Sequence, residues 1–271
     1  MRSFVKPETG TALGYIDFEQ EEFQIAGALS GDEAMQRAYS SGDPYLAFAK
    51  MARAVPRDAT KKSHPSVREL FKTCALGIQY SMQVKGLAQR IGKPVSDAEV
   101  LLNHHKTQFP HFWRWVDRVV THMEFKRRLS TKSGWRIVRR HKQFQSQWRR
   151  SIQNWPIQSA GADLLRLICC RATEKGIRVL APIHDALVVE DSIEDIDRTV
   201  VETREIMRQA SIEMFGLEIR TEAEIFADRF VDKRGVAMWD RINQMMEEVG
   251  TDAERRGSQM ELFGGVGGVR Y

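Results

Sequence analysis

The sequence predicts an α+β fold, with strands flanking a mostly helical middle. Three observations lead there. Leu13 to Phe18 reads as a short buried strand near the start of the chain. Far downstream, the apolar runs Val179 to Ile183 and Ala186 to Glu190 are separated only by His184-Asp185, the pattern of a tight β-hairpin. Most of the chain between them carries apolar residues at helical spacing.

The elements follow in order. From Gln20 the pattern turns helical, with Phe23, Ile25, Ala26 and Leu29 apolar, until Ser30-Gly31-Asp32 stops it. Helices then dominate to about Met123. One spans Val67 to Tyr80. Another spans Asp97 to Gln108 with Ser96 as its N-cap, and a third runs from Phe112 to about Phe125 after Pro110. Arg128 to Val138 reads as a hairpin turning at Lys132-Ser133-Gly134. A helix from about Pro156 to Lys175 ends at Gly176. After the His184-Asp185 hairpin come a long helix, Ile193 to Phe215, and a last strand, Glu218 to Ile225. Beyond about Asp240 the chain is acidic and then Gly-rich from Gly264, and a flexible tail is expected there.

Bulk properties narrow the function classes. The 271 residues are 42% hydrophobic, enough for a real core in one large domain or two modest ones. No run of 18 apolar residues could span a membrane. Met1 to Gly10 lacks the apolar core of a secretory signal, so a cytoplasmic protein is expected. Cys74, Cys169 and Cys170 have neither disulfide nor zinc spacing and read as reduced thiols. The net charge of +5 is modest, but its distribution is uneven. From Lys126 to Arg150 there are ten Lys or Arg, no Asp or Glu, and the interleaved aromatics Trp135, Phe144 and Trp148. Such a stretch repels itself unless a polyanion neutralises it, which favours nucleic acid over a merely solvated face.

Several residues could carry chemistry. Asp17 ends an apolar strand, where a carboxylate is costly unless a cation meets it. Asp185 sits at a hairpin tip, where turn chemistry is the ordinary explanation. Together, two carboxylates at the ends of core strands could share divalent ions for phosphoryl transfer. Arg68, Lys72, Leu76 and Tyr80 recur every four residues, so they form one stripe along a helix. Two cations followed by a flat apolar surface suit a nucleotide, and an ordinary amphipathic helix explains the spacing equally well. Gln153, Asn154 and Gln158 surround Trp155-Pro156, and their amides could read the minor groove or cap turns.

In this order the features resemble family A DNA polymerases of the bacterial and phage DNA polymerase I type. Asp17-Phe18-Glu19-Gln20-Glu21-Glu22 resembles motif A; Arg68, Lys72 and Tyr80 resemble motif B, on the O helix of the fingers; His184-Asp185 resembles motif C. Arg150, Asn154 and Gln158 stand where the family contacts primer and minor groove, and Gly134 and Arg136 also fit its pattern. The likeness runs from about Arg2 to Asp240. It implies an antiparallel palm sheet with an inserted, mostly helical fingers subdomain: palm over 1–30 and 128–240, fingers over 31–127, a tail over 241–271. It implies template-directed addition of dNTPs to a primer 3′-hydroxyl. Two Mg²⁺ ions would be held by Asp17, Asp185 and the Phe18 carbonyl. Lys72 would act with the two aspartates in catalysis. Arg68, Lys72, Leu76, Tyr80, Glu22, Gln20 and Tyr45 would bind the dNTP, with Glu22 excluding a ribose 2′-hydroxyl. Arg150, Asn154, Gln158 and His184 would meet the primer-template DNA.

The sequence departs from the family at several points. Ala186 stands where a Glu usually follows the motif C Asp, which should weaken activity. Leu76 replaces the aromatic in the middle of motif B, and Tyr45 stands where a phosphate-binding His is common. Only about 16 residues precede motif A, so the family's thumb and exonuclease are not in this chain. Either a separate thumb-bearing polymerase chain is a partner, or the chain is a truncated form. A catalytically weak DNA-binding accessory subunit is the rival reading; an RNA polymerase is disfavoured by Glu22. Gln259-Met260-Glu261-Leu262-Phe263 resembles the peptide by which bacterial polymerases bind the sliding clamp, with Gln259, Leu262 and Phe263 as anchors.

Overall fold

The structure, a computed structural model, describes residues 5–138, 145–230 and 235–263. Its centre is a four-stranded antiparallel sheet of β1 (Thr11–Phe18), β4 (Arg178–Ile183), β5 (Ala186–Ser192) and β6 (Thr221–Phe226), in the order β4-β5-β1-β6. Side chains alternate across a strand, so β1 serves two faces. Ala12, Ile16 and Phe18 join the main core. Leu13 and Tyr15 join a smaller cluster with Val188 and Phe230 on the other face. Asp17 shares that second face and pairs in register with Ala186 on one side and Glu222 on the other.

Two long helices cover the main face of the sheet: α8 (Gln145–Glu174) and α9 (Ile196–Phe215). The approach of α9 is close enough to require a glycine. A Cβ on Gly14 would come within 2.5 Å of Val200 Cγ2. Gly176, at φ 80°, turns the chain from α8 into β4 while its N–H and that of Ile177 close the helix on Thr173 and Ala172.

Between β1 and the small hairpin of β2 (Arg128–Ser130) and β3 (Arg136–Val138) lie seven helices. They are α1 (Glu21–Ser30), α2 (Glu33–Ser40), α3 (Pro44–Met51), α4 (Pro65–Gln79), α5 (Val84–Ile91), α6 (Val95–Gln108) and α7 (Pro110–Lys126). Phe48, Phe109 and Phe112 pack around His105 at their centre, and Phe71 packs edge-on against Phe48. Asp32, almost fully buried, joins two helix starts. Its Oδ1 accepts from Ala34 and Met35 at the start of α2, and its Oδ2 accepts from His111 and Phe112 at the start of α7. The β2–β3 hairpin docks on α8 through the Ser133 hydroxyl, which donates to Asp163.

The structure corrects several expectations. α6 begins at Val95 behind Pro94, so Ser96 lies in its first turn and is not its N-cap; the Ser96 hydroxyl donates to Asp97 instead. α8 begins at Gln145 and carries Pro156 in its interior, rather than starting there. Ile152 explains the difference: it packs with Val120, Met123 and Leu129, and this burial outweighs the proline's lost hydrogen bond. Over the first part of the expected tail, α10 (Val236–Phe263) has a helical backbone, in keeping with its content of Ala, Met, Glu, Gln and Arg, while residues 264–271 lie outside the described residues. The clamp-like segment thus has a helical backbone rather than an extended one, and the side chains of Gln259, Leu262 and Phe263 lie outside the described residues. So do residues 139–144 of the basic stretch and the side chain of Trp148.

Candidate active site

The end of β1 and the start of β5 meet at a cleft. The Phe18 N–H donates to the Asp185 carbonyl at 3.2 Å, tying the end of β1 to the hairpin between β4 and β5. That hairpin turns on His184 and Asp185. His184 takes φ 60°, the left-handed side that two-residue hairpins demand. Its Nδ1 lies 3.1 Å from Asp185 Oδ1, with the imidazole exposed.

Past Phe18 the chain bends sharply into α1, with Gln20 at φ 49° and ψ 41°. The bend is held by Arg220, just before β6. Its guanidinium donates to Glu19 Oε2 at 3.2 Å, Gln20 Oε1 at 3.4 Å and the carbonyls of Tyr39 and Gly42 at 3.0 and 3.1 Å, and lies 4.0 Å over the Tyr39 ring. This places Glu21 and Glu22 in the first turn of α1, beside the end of β1.

Glu22 is fixed from two sides. Its Oε1 accepts from the Tyr80 hydroxyl at 2.6 Å and from Gln158 Nε2 at 2.7 Å. Burial, followed by that hydrogen bond, pushes the Tyr80 phenol up to about 12, so it stays a donor. Glu21 is buried, and its Oε1 has no hydrogen-bond partner. Burial first, and then the nearby Asp185, Glu22 and Asp17, raise its carboxyl to about 8.

The cleft holds about 370 Å³ and is lined by Asp17, Phe18, Glu19, Gln20, Glu21, Glu22, Tyr45, Arg68, Lys72, Leu76, Tyr80, His184, Asp185 and Glu222. Its floor is acidic, and α4 supplies the cations opposite. Arg68 Nε lies 2.6 Å from Asp43 Oδ2, while Asp43 Oδ1 caps α3 through Tyr45 and Leu46. The same guanidinium lies 5.4 Å over the buried Tyr45 ring, whose hydroxyl burial pushes far up. Lys72 Nζ stands 4.0 Å from Glu69. A second hollow of about 530 Å³ is lined by Tyr80, Arg150, Ser151, Asn154, Trp155 and Gln158. Tyr80 therefore borders both.

Every residue assigned from the sequence to metal, dNTP or catalysis lines the first cleft, and Arg150, Asn154 and Gln158 line the second. Gln153 faces the core instead, where its amide donates to the Ile78 carbonyl. Sequence reasoning gave no part to Glu19, Glu21, Asp43, Arg220 or Glu222. Glu21 stood inside a motif without a role, and Arg220 lies about 200 positions from what it braces, beyond any local pattern.

All donors on the floor are oxygens, which suits a hard divalent cation, and the unpartnered Glu21 Oε1 adds to the fit. Among the described residues, no three His, Cys, Asp or Glu side chains are gathered into a ready ligand set. A closed cage is therefore not preformed.

The sequence model of DNA polymerase family A matches residues 1–231. This chain belongs to DNA polymerase family A. Over 234 residues, 83% of the chain, it is 27% identical to the thermostable DNA polymerase I of Thermus aquaticus, of which it covers 27%. It is 29% identical over 247 residues to DNA polymerase I of Aquifex aeolicus, covering 86% of this chain and 41% of that one. It thus spans roughly a quarter to two fifths of the length of these relatives. The fold is similar to the POL domain of Pol1 from M. smegmatis, solved in complex with DNA primer-template and dNTP. That similarity has a TM-score of 0.72 at 24% identity and covers 84% of this chain and 41% of that chain. No described helix of this family A chain is long and apolar enough to cross a membrane.

Proposed function

We propose that this chain carries the nucleotidyl-transfer centre of a DNA-directed DNA polymerase, which adds a dNTP to a primer 3′-hydroxyl. The observation that carries the reading is the cleft itself: Asp17 and Asp185 meet on an acidic floor opposite Arg68 and Lys72. Two Mg²⁺ ions held by Asp17, Asp185 and the Phe18 carbonyl would activate the primer hydroxyl and steady the leaving pyrophosphate. Arg68, fixed by Asp43, binds the distal phosphates, and Lys72 neutralises charge that grows on the leaving group. Glu22, pinned by Tyr80 and Gln158, leaves no room for a ribose 2′-hydroxyl. Leu76 and Tyr80 lie along the nascent base pair, and Tyr45 and Gln20 complete the dNTP pocket. Arg150, Asn154 and Gln158 follow the primer-template minor groove, and the exposed His184 meets the primer terminus. Catalysis is then mostly positioning and charge neutralisation.

One observation favours the rival reading, a weak or inactive accessory subunit that binds DNA. Ala186 is fully buried beside Asp17 and brings no carboxylate. Primer extension with dNTPs against rNTPs separates the readings, run with and without a thumb-bearing chain if one is encoded upstream. Extension with dNTPs alone is expected. Duplex binding without extension, even at high protein and low salt, would leave only the accessory role. The clamp contact is tested by titrating a peptide spanning Arg256 to Gly265 with sliding clamp, and absence of binding would remove it.

A further inference from the structure

Glu21 is the one fully buried acidic residue lining the cleft, and the reading above gives it no role. Its carboxyl is buried, its Oε1 lacks a hydrogen-bond partner, and the carboxylates of Asp185, Glu22 and Asp17 surround it. An unpartnered acid among like charges is a costly choice for a buried position, where an apolar side chain would pack without penalty. The structure nevertheless makes room for it. Gly161, in the middle of α8, would place a Cβ 3.1 and 3.2 Å from the two Glu21 oxygens. Gly161 has no positive φ to require a glycine, and a mid-helix glycine costs about 1 kcal/mol relative to alanine. Space for the Glu21 carboxylate is what this glycine provides.

On the neighbouring strand the opposite has happened. Ala186, fully buried and in register with Asp17, stands where the resemblance leads one to expect a carboxylate. We propose that Glu21 supplies, from α1, the third carboxyl group of the divalent-cation site, in place of the carboxylate absent at position 186. The described residues form no ready three-ligand set, so Glu21 acts beside the Asp17–Asp185 pair rather than as a closed-cage ligand. Glu222 pairs with Asp17 from β6 but is exposed, so it lacks the buried position that Glu21 holds.

The inference rests on the reading of Asp17 and Asp185 as the cation-holding pair, and its test keeps the two apart. Mn²⁺ is titrated onto the full chain and the free ion followed by electron paramagnetic resonance, for wild type, Glu21→Gln, Glu21→Leu and Asp185→Asn. Glu21→Leu removes a buried unpartnered acid, so it should fold at least as stably as wild type without metal. Thermal unfolding in chelator checks this. Both Glu21 variants should bind Mn²⁺ about tenfold more weakly or worse. Adding Ala186→Glu to Glu21→Leu should restore most of the affinity. Glu21 variants within twofold of wild type, with Asp185→Asn still impaired, would overturn the inference and leave the aspartate pair standing. Equal binding by wild type and Asp185→Asn would remove the pair, and the inference with it.

Discussion

Glu22 owes its position to donors from two helices that are distant in sequence. Tyr80 closes α4, Gln158 lies in α8, and both donate to the same carboxylate oxygen. The side chain is therefore held in place at the cleft, where the proposed reading sets it against the sugar of the incoming nucleotide. Glu22→Ala should raise ribonucleotide incorporation relative to deoxyribonucleotide by about 100-fold, the scale on which a pocket rejects one added hydroxyl. Single-nucleotide insertion with matched dNTP and rNTP measures it; an unchanged ratio would mean that another group excludes the 2′-hydroxyl. Asp17 and Asp185 could be picked out from the sequence, because a charge at the edge of an apolar run is conspicuous, whereas Glu22 came only with the resemblance to motif A. Glu21 and Arg220 could not. The evidence for Glu21 is Gly161, and that for Arg220 is Tyr39 and Gly42, neighbours supplied only by the folded chain.

Among the elements, the helical region depends on a few buried polar residues. Asp32 joins α2 and α7 by accepting from four backbone N–H groups. Asp32→Ala should cost about 2–4 kcal/mol in urea unfolding, from two lost caps and buried donors left unsatisfied. A loss below about 0.5 kcal/mol would contradict the double cap. His105 gives the same region a pH dependence. Full burial lowers its pKa to about 3, while the unfolded chain keeps the ordinary 6.5. The folded form therefore excludes a proton that the unfolded form takes up. Stability from this residue is complete above about pH 6.5 and is lost as pH falls toward 3, at up to about 1.4 kcal/mol per pH unit. His105→Leu gives up the Trp113 hydrogen bond but should flatten the stability profile between pH 6.5 and 4. If both proteins lose stability in parallel over that range, the acid sensitivity lies elsewhere.

At the scale of the whole molecule, the α+β class and the central hairpin were legible because strand alternation and the two-residue turn are local signals. Where α8 starts was not, since Pro156 reads as a helix start until the packing of Ile152 is known. The helical course of α10 was obscured by the charge and glycine content of the tail. The strand order β4-β5-β1-β6 was also out of reach, yet it matters most for function. It sets β1 beside β5, so that carboxylates 168 positions apart reach the rim of one cleft, with α4 carrying Arg68 and Lys72 across from them. The most direct test of that convergence is Mg²⁺-dependent primer extension by the wild-type chain and by Asp185→Asn, with duplex binding measured in parallel. Extension by wild type and its loss in the variant, with binding and folding nearly unchanged, is the predicted result. Normal extension by Asp185→Asn would contradict the assignment of the cleft.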